Sequence, residues 1–169
     1  MPAILETVTI KADVNAVFDL ISRVEEFPVY ARLIKEVHKI SLDTYRWVAR
    51  VQGFTLTWDS IISEFHRPTR LAWKSIRGFR NSGVYTLTPI PEGTKVEICT
   101  EYSFQNQWME KLLAPLVKPI MRAATRDILA RVKDRLESRH LGLLSDEKRH
   151  KKRKLIHVIA RRRQPRRHY

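Results

Sequence analysis

Between Ile34 and Phe104 the chain alternates large and polar residues at a period of two, six times in succession, with almost nothing between the runs. The runs are IKEVHKIS, TYRWVARVQG, FTLTWDSIISEFH, RLAWKSIRG, GVYTLTPI and TKVEICTEYSF, punctuated by LDT, the glycine at 53, RPT, GFRNSG and PEG. A period of two is the mark of a strand with one buried face. Connections this short, built from turn-forming residues, join antiparallel neighbours. ILETVTIKA (4–12) alternates in the same way, so a seven-stranded meander is expected, long enough to curl.

Helical spacing appears only at the two ends of this block. Asp13 has the chemistry of an N-cap, and Val14, Val17, Phe18 and Ile21 follow it on one helical face. Pro28 fits the first turn of a second short helix, with a break near Arg23 to Glu26. Beyond the strands, Val117, Met121, Ala124, Ile128, Val132 and Leu136 form one stripe. Pro115 and Pro119 put the start of regular helix near Lys118. About twenty residues of helix span ~30 Å, enough to cross a curved sheet. The order is β, α, α, six β, long α, which predicts an α+β fold rather than a parallel wind.

Strand parity divides the sheet into two faces. Tyr45, Trp47, Ala49 and Val51 oppose Arg46 and Arg50; Leu56, Trp58, Ser60 and Ile62 oppose Thr57, Asp59 and Ser63. Leu71, Trp73 and Ser75 oppose Arg70 and Lys74; Tyr85 and Leu87 oppose Thr86 and Thr88; Val96, Ile98, Thr100 and Tyr102 oppose Lys95, Glu97 and Glu101. The apolar face is rich in indoles and phenols, whose polar atoms need partners when buried. Ser60, Ser75 and Thr100 share that face as such partners or as ligand contacts. The pattern alone leaves two readings open: packing on the long helix, or a pocket beneath it.

Chemistry-bearing motifs are sparse. The serines lack a neighbouring histidine, no G-x-S-x-G occurs, and GFRNSG lacks the Lys-Ser/Thr ending of a phosphate loop, so it reads as a β-turn flanked by the surface cations Arg77 and Arg80. Glu64 follows the inward parity but lies near a strand end, so a solvated position is expected. Cys99 is the single cysteine and the six histidines show no ligand spacing, so no disulfide, metal or cofactor is expected. MPAILETVTIKAD has no secretory pattern, and no segment reaches the ~20 apolar residues of a membrane span; a cytoplasmic protein is expected.

The formal charge of +14 is concentrated at one end: residues 138–169 hold twelve Lys and Arg against two acids, and residues 1–137 hold twenty against sixteen. A body over 1–137 and a flexible basic tail over 138–169 are therefore expected. The tail clusters, Lys148, Arg149, Lys151, Lys152, Arg153 and Lys154, then Arg161, Arg162 and Arg163, suit a polyanion, either RNA or an anionic membrane surface. Leu155, Ile156, Val158 and Ile159 between them would favour peripheral membrane contact.

Taken together, VTIKADVNAVFDLISRVEEFPVY, the Trp47 and Trp58 strands, Arg70 to Ser75, Gly83 to Tyr85 and Gly93 to Val96 resemble the SRPBCC, or START-like, superfamily, in its polyketide cyclase/dehydrase and coenzyme-Q-binding branch. The likeness covers about residues 3 to 137. It implies a helix-grip fold, a curved seven-stranded antiparallel sheet wrapped around a long C-terminal helix. It also implies a cavity between sheet and helix for a hydrophobic molecule such as a lipid, quinone or polyketide. The residues placed at that cavity are Trp47, Trp58, Ser60, Trp73, Ser75, Tyr85, Leu87, Ile98, Thr100, Tyr102, Val117 and Met121. Binding, transport or chaperoning of such a molecule is the leading expectation. A cyclase or aromatase acting through chain shaping and a few polar groups is the alternative, and a ribosome- or RNA-associated factor using the tail is a third.

Overall fold

The computed structural model describes residues 3–103, 115, 117–138 and 149–151. Seven strands, β1 (Ala3–Ile10), β2 (Ile34–Ser41), β3 (Thr44–Val51), β4 (Phe54–His66), β5 (Arg70–Gly78), β6 (Arg80–Ile90) and β7 (Gly93–Ser103), form one antiparallel sheet. Helices α1 (Val14–Ile21) and α2 (Phe27–Tyr30), joined by a 3-10 turn at Val24–Glu26, follow β1, and a long helix α3 (117–138) follows the sheet. This is the helix-grip arrangement.

The sheet order corrects the expected simple meander. Strands β2 to β7 run as one, but β1 sits beside β7, from Ala3↔Glu101 to Ile10↔Thr94. The α1–α2 segment is the reason: it carries the chain from one edge of the sheet to the other before the meander begins. Asp13 starts that segment as its N-cap, accepting a 2.8 Å hydrogen bond from Asn15 N on its side chain. Pro28 sits at the start of α2, where its missing N–H is not needed.

Register slips modify the parity at several places, among them Ile34 to Glu36 and Asp59 to Ser60. Between Ile62 and Glu64 the β4–β5 register slips. The slip turns Glu64 into an ion pair with Arg70 and brings Phe65 edge-on to Phe18, centroids 5.1 Å apart. Near Gly78, which takes φ +80, the β5–β6 connection shrinks to Phe79 alone, so GFRNSG belongs mostly to the strands.

Helix α3 is tied to both ends of the concave face. Glu6 of β1 has the inward parity, beside Ile98, and receives Arg126 Nε at 2.9 Å and Arg122 Nε at 3.4 Å. Glu137 Oε1 accepts from Lys11 N, and Arg135 reaches Glu26 at 3.6 Å. In the C-terminal half of α3, Leu129, Val132 and Leu136 are buried in a closed core with Val17, Phe18, Ile21, Leu87 and Val96.

Candidate functional site

The apolar face does not close evenly. Where α1 covers β6 and β7, side chains fill the space. Toward β3–β5, the sheet curves away from α3 and leaves a cavity of about 170 Å³, or about 1130 Å³ with the crevices and the opening to solvent included. The smaller figure is the one to set against a guest: it matches the dry cavities of ~150 Å³ that take a single aromatic ring.

The wall is built in layers. Trp47 and Trp58, directly paired across β3 and β4, stack with centroids 5.8 Å apart and planes only 6° from parallel. Phe27 of α2 meets Trp47 edge-on at 5.4 Å, and Phe79 meets Trp58 at 6.2 Å. The Trp47 indole is fixed from behind, its Nε1–H donating to Ser60 Oγ at 2.8 Å. The Trp73 indole donates to Asn81 Oδ1 at 3.1 Å and leans on Tyr85 at 5.6 Å. Ser75 Oγ in turn accepts from Asn81 N at 3.0 Å. Trp73 can lie flat because its cross-strand partner is Gly83: a Cβ there would overlap the indole ring. The roof comes from α3, through Met121, Ala124, Thr125 and Ile128.

The charged lining groups lie toward solvent. Arg32, just before β2, pairs with Asp127 of α3 at 3.4 Å, and Asp127 also takes Arg131 at 3.2 Å. The deep polar atoms are hydroxyls and an amide: Tyr85, Thr100 and Asn81. Tyr85 is 3% exposed and Thr100 7% exposed. Burial pushes the Tyr85 phenol well above its usual range, and Tyr30 adds to the effect, so it stays protonated.

Among the sequence-derived candidates, Trp47, Trp58, Trp73, Tyr85, Ile98, Thr100 and Met121 line the cavity. Ser60 and Ser75 stand behind the wall as hydrogen-bond partners of Trp47 and Asn81. Leu87 belongs to the closed core, Tyr102 is fully buried, and Val117 is half-buried at the start of α3; the described lining does not include them. Sequence reasoning missed Phe27, Ala31, Leu33, Phe79 and Asn81. Asn81 was legible in principle, because it lies two residues before Gly83 on the inward parity of β6. In the tail, Arg149 and Lys151 are exposed and helical. Lys148, Lys152, Arg153, Lys154, Arg161, Arg162 and Arg163 lie outside the described residues. Among the described residues no group of three His, Cys, Asp or Glu side chains is placed to hold a metal ion, and no helix is long and apolar enough to cross a membrane.

A family model described as polyketide cyclase/dehydrase and lipid transport matches residues 1–137. The fold is similar to that of a Thermus thermophilus protein at TM-score 0.72 and 23% identity, covering 81% of this chain and 98% of that one. It is similar to the Zhui aromatase/cyclase of a Streptomyces species at TM-score 0.71 and 13% identity, covering 82% and 94%. A START superfamily protein of Mycobacterium smegmatis aligns at TM-score 0.64 and 17% identity, covering 80% and 97%. No curated protein matches the sequence significantly.

Proposed function

The chain belongs to the polyketide cyclase/dehydrase and lipid transport family, and we propose that it binds a hydrophobic small molecule in the cavity between the sheet and α3. One observation carries this reading: an apolar, aromatic-walled void opens on the concave face although the same face packs solidly under α1. Apolar walls with a few converging polar groups are the usual composition of a small-molecule site. Three indoles and a phenol in that wall supply flat contact area for rings or unsaturated chains. The ion pairs of Asp127 lie toward solvent, so the interior offers contact rather than charge.

The family match over 1–137 supports taking those residues as the helix-grip body and 138–169 as a basic appendage. In this reading the appendage brings the body to an anionic lipid surface, where its apolar ligand would partition; the charge excess and the LIHVIA segment support it.

The test is solvent extraction of the freshly purified full chain followed by mass spectrometry, beside titration with tetralin monitored by tryptophan fluorescence. A recovered hydrophobic molecule, or saturable quenching of Trp47, Trp58 and Trp73, is the expected result. An empty extract together with no saturable tetralin binding overturns the reading.

A further inference from the structure

Most of the cavity lining is apolar, and its buried polar groups take a specific form. Tyr85 on β6 and Thr100 on β7 both face the void. Tyr85 pairs with Ile98, and Thr100 with Gly83, so the two hydroxyl residues are diagonal neighbours on the same face, within reach of one small ligand group. Neither hydroxyl makes a hydrogen bond to a described residue, yet neither is a sealed, stranded polar atom. The structure elsewhere provides such partners: the indoles of Trp47 and Trp73 each have one, and Tyr30 donates to Leu20 O at 3.2 Å. Buried hydroxyls left open in the wall of an apolar chamber mark a place where a guest atom completes the hydrogen bond.

Resting on the binding function proposed above, we propose that Tyr85, with Thr100 beside it, is the specificity anchor of the cavity: it donates to a neutral carbonyl oxygen that enters first. The ligand class is a carbonyl-bearing ring or chain whose apolar remainder points to the mouth. A carboxylate or phosphate head is disfavoured beside these hydroxyls, because an ionised group there would be desolvated without a cation. The lining cation Arg32 lies toward solvent and is engaged with Asp127. The raised pKa of Tyr85 supports the assignment, since the phenol remains a donor throughout the neutral range.

Three probes of similar size separate the possibilities: tetralin, which has no oxygen; alpha-tetralone, which adds one carbonyl; and naphthoate, which carries a charge. Calorimetric titration of the full chain gives their affinities, and infrared spectra of bound alpha-tetralone report the hydrogen bond directly. In the native protein the bound carbonyl stretch shifts to lower frequency than in hydrocarbon solvent, and naphthoate binds at least about tenfold more weakly than the ketone. Tyr85→Phe keeps the ring, so the fold and tetralin binding persist, but it lowers alpha-tetralone affinity about fivefold, the loss expected for one neutral hydrogen bond of ~1 kcal/mol. It also removes most of the infrared shift. Thr100→Val gives a smaller loss of the same sign. Equal effects of Tyr85→Phe on tetralin and alpha-tetralone, an unshifted carbonyl, or naphthoate binding as tightly as the ketone would each overturn the anchor while leaving the cavity reading intact. Failure of tetralin and alpha-tetralone alike to bind the native protein overturns both.

Discussion

Gly83→Ala is the most informative single perturbation, because it tests how the wall is made without removing any group that touches a guest. The added methyl would overlap Cζ2 and Cη2 of Trp73 and lie 2.9 Å from Cys99 O. The carbonyl belongs to the β6–β7 ladder and cannot yield, so the indole must slide by roughly an ångström to restore ordinary contact. Sliding breaks the 3.1 Å bond from Trp73 Nε1 to Asn81 Oδ1 and disturbs the 5.6 Å contact with Tyr85. Overpacking costs about 1–3 kcal/mol and the lost hydrogen bond about 1 kcal/mol, while replacing glycine in a strand returns about 0.5–1 kcal/mol of backbone entropy. The net expectation is a loss of about 1–3 kcal/mol, seen as a lower urea midpoint with an unchanged slope. The displaced indole also narrows the cavity, so tetralin affinity falls. A double-mutant cycle with Trp73→Leu isolates the cause, because the smaller side chain leaves room for the methyl and should recover at least ~1 kcal/mol of the loss. If Gly83→Ala costs the same in both backgrounds, the packing of Trp73 on Gly83 is not what the glycine is for.

Trp73→Ala should enlarge the cavity and cost roughly 2–4 kcal/mol, with affinity shifting toward guests larger than tetralin; unchanged ligand selectivity beside a stability loss would make Trp73 core packing only. Ala124→Phe places a ring in the void from the α3 side, so tetralin binding should drop at least about tenfold while the circular dichroism spectrum is retained, and persistent binding would put the guest elsewhere. On the convex face, Arg46 holds Asp59 below the usual carboxylate range through hydrogen bonds of 2.8 and 3.0 Å. A depressed folded pKa means that this stabilisation is present above the ordinary aspartate pKa of about 4 and is lost as pH falls through the lower folded value. Asp59→Asn should therefore flatten the acid limb of a melting-temperature profile, and an identical limb in the variant would show that the pair carries no linkage. A chain ending at residue 137 should bind tetralin as the full chain does but lose salt-sensitive sedimentation with anionic vesicles; undiminished sedimentation would locate that contact on the body.

The parity of the strands was legible because a buried face and a charged face impose opposite demands on successive residues, and Trp47, Trp58, Trp73, Tyr85, Ile98 and Thr100 all obey it. Parity failed where the count slips. The bulge after Ile62 reverses β4, pairing Glu64 with Arg70 and setting Phe65, still 54% exposed, edge-on to Phe18, and no residue near it announces the extra position. The pairing of β1 with β7 was equally hidden, since alternation within a strand says nothing about which edge it joins. Glu6 held a clue: a carboxylate on the inward parity needs cations, and Arg122 and Arg126 on α3 supply them. Phe27, Ala31 and Leu33 reach the cavity from α2 and the turn after it, where neither strand nor helix periodicity applies to so short a segment.

Whether one continuous apolar face becomes core or chamber is decided by what covers it. Val96 and Ile98 are successive inward residues of β7, yet only Ile98 borders the void. On the Val96 side, α1 contributes Val17 and Phe18, and α3 contributes Leu129, Val132 and Leu136, branched or aromatic groups that reach across the gap. On the Ile98 side, Phe27, Ala31 and Leu33 border the void from α2 and the turn after it, and α3 presents Met121, Ala124, Thr125 and Ile128. Between Met121 and Ile128, the Ala124 methyl and the Thr125 hydroxyl, which is folded back on Met121 O at 2.9 Å, are too short to reach across the space that the curved sheet leaves. The helical stripe therefore carries the distinction in its residue sizes: large toward Leu136 where it must seal, small around Ala124 where it must not. Exchanging that order, with Ala124→Leu and Leu129→Ala together, should move the void toward α1 and cost stability chiefly through the second change, by about 2–5 kcal/mol. A double variant that still bound tetralin as the native chain does would show that the sheet's curvature, and not the helix's small residues, sets where the chamber lies.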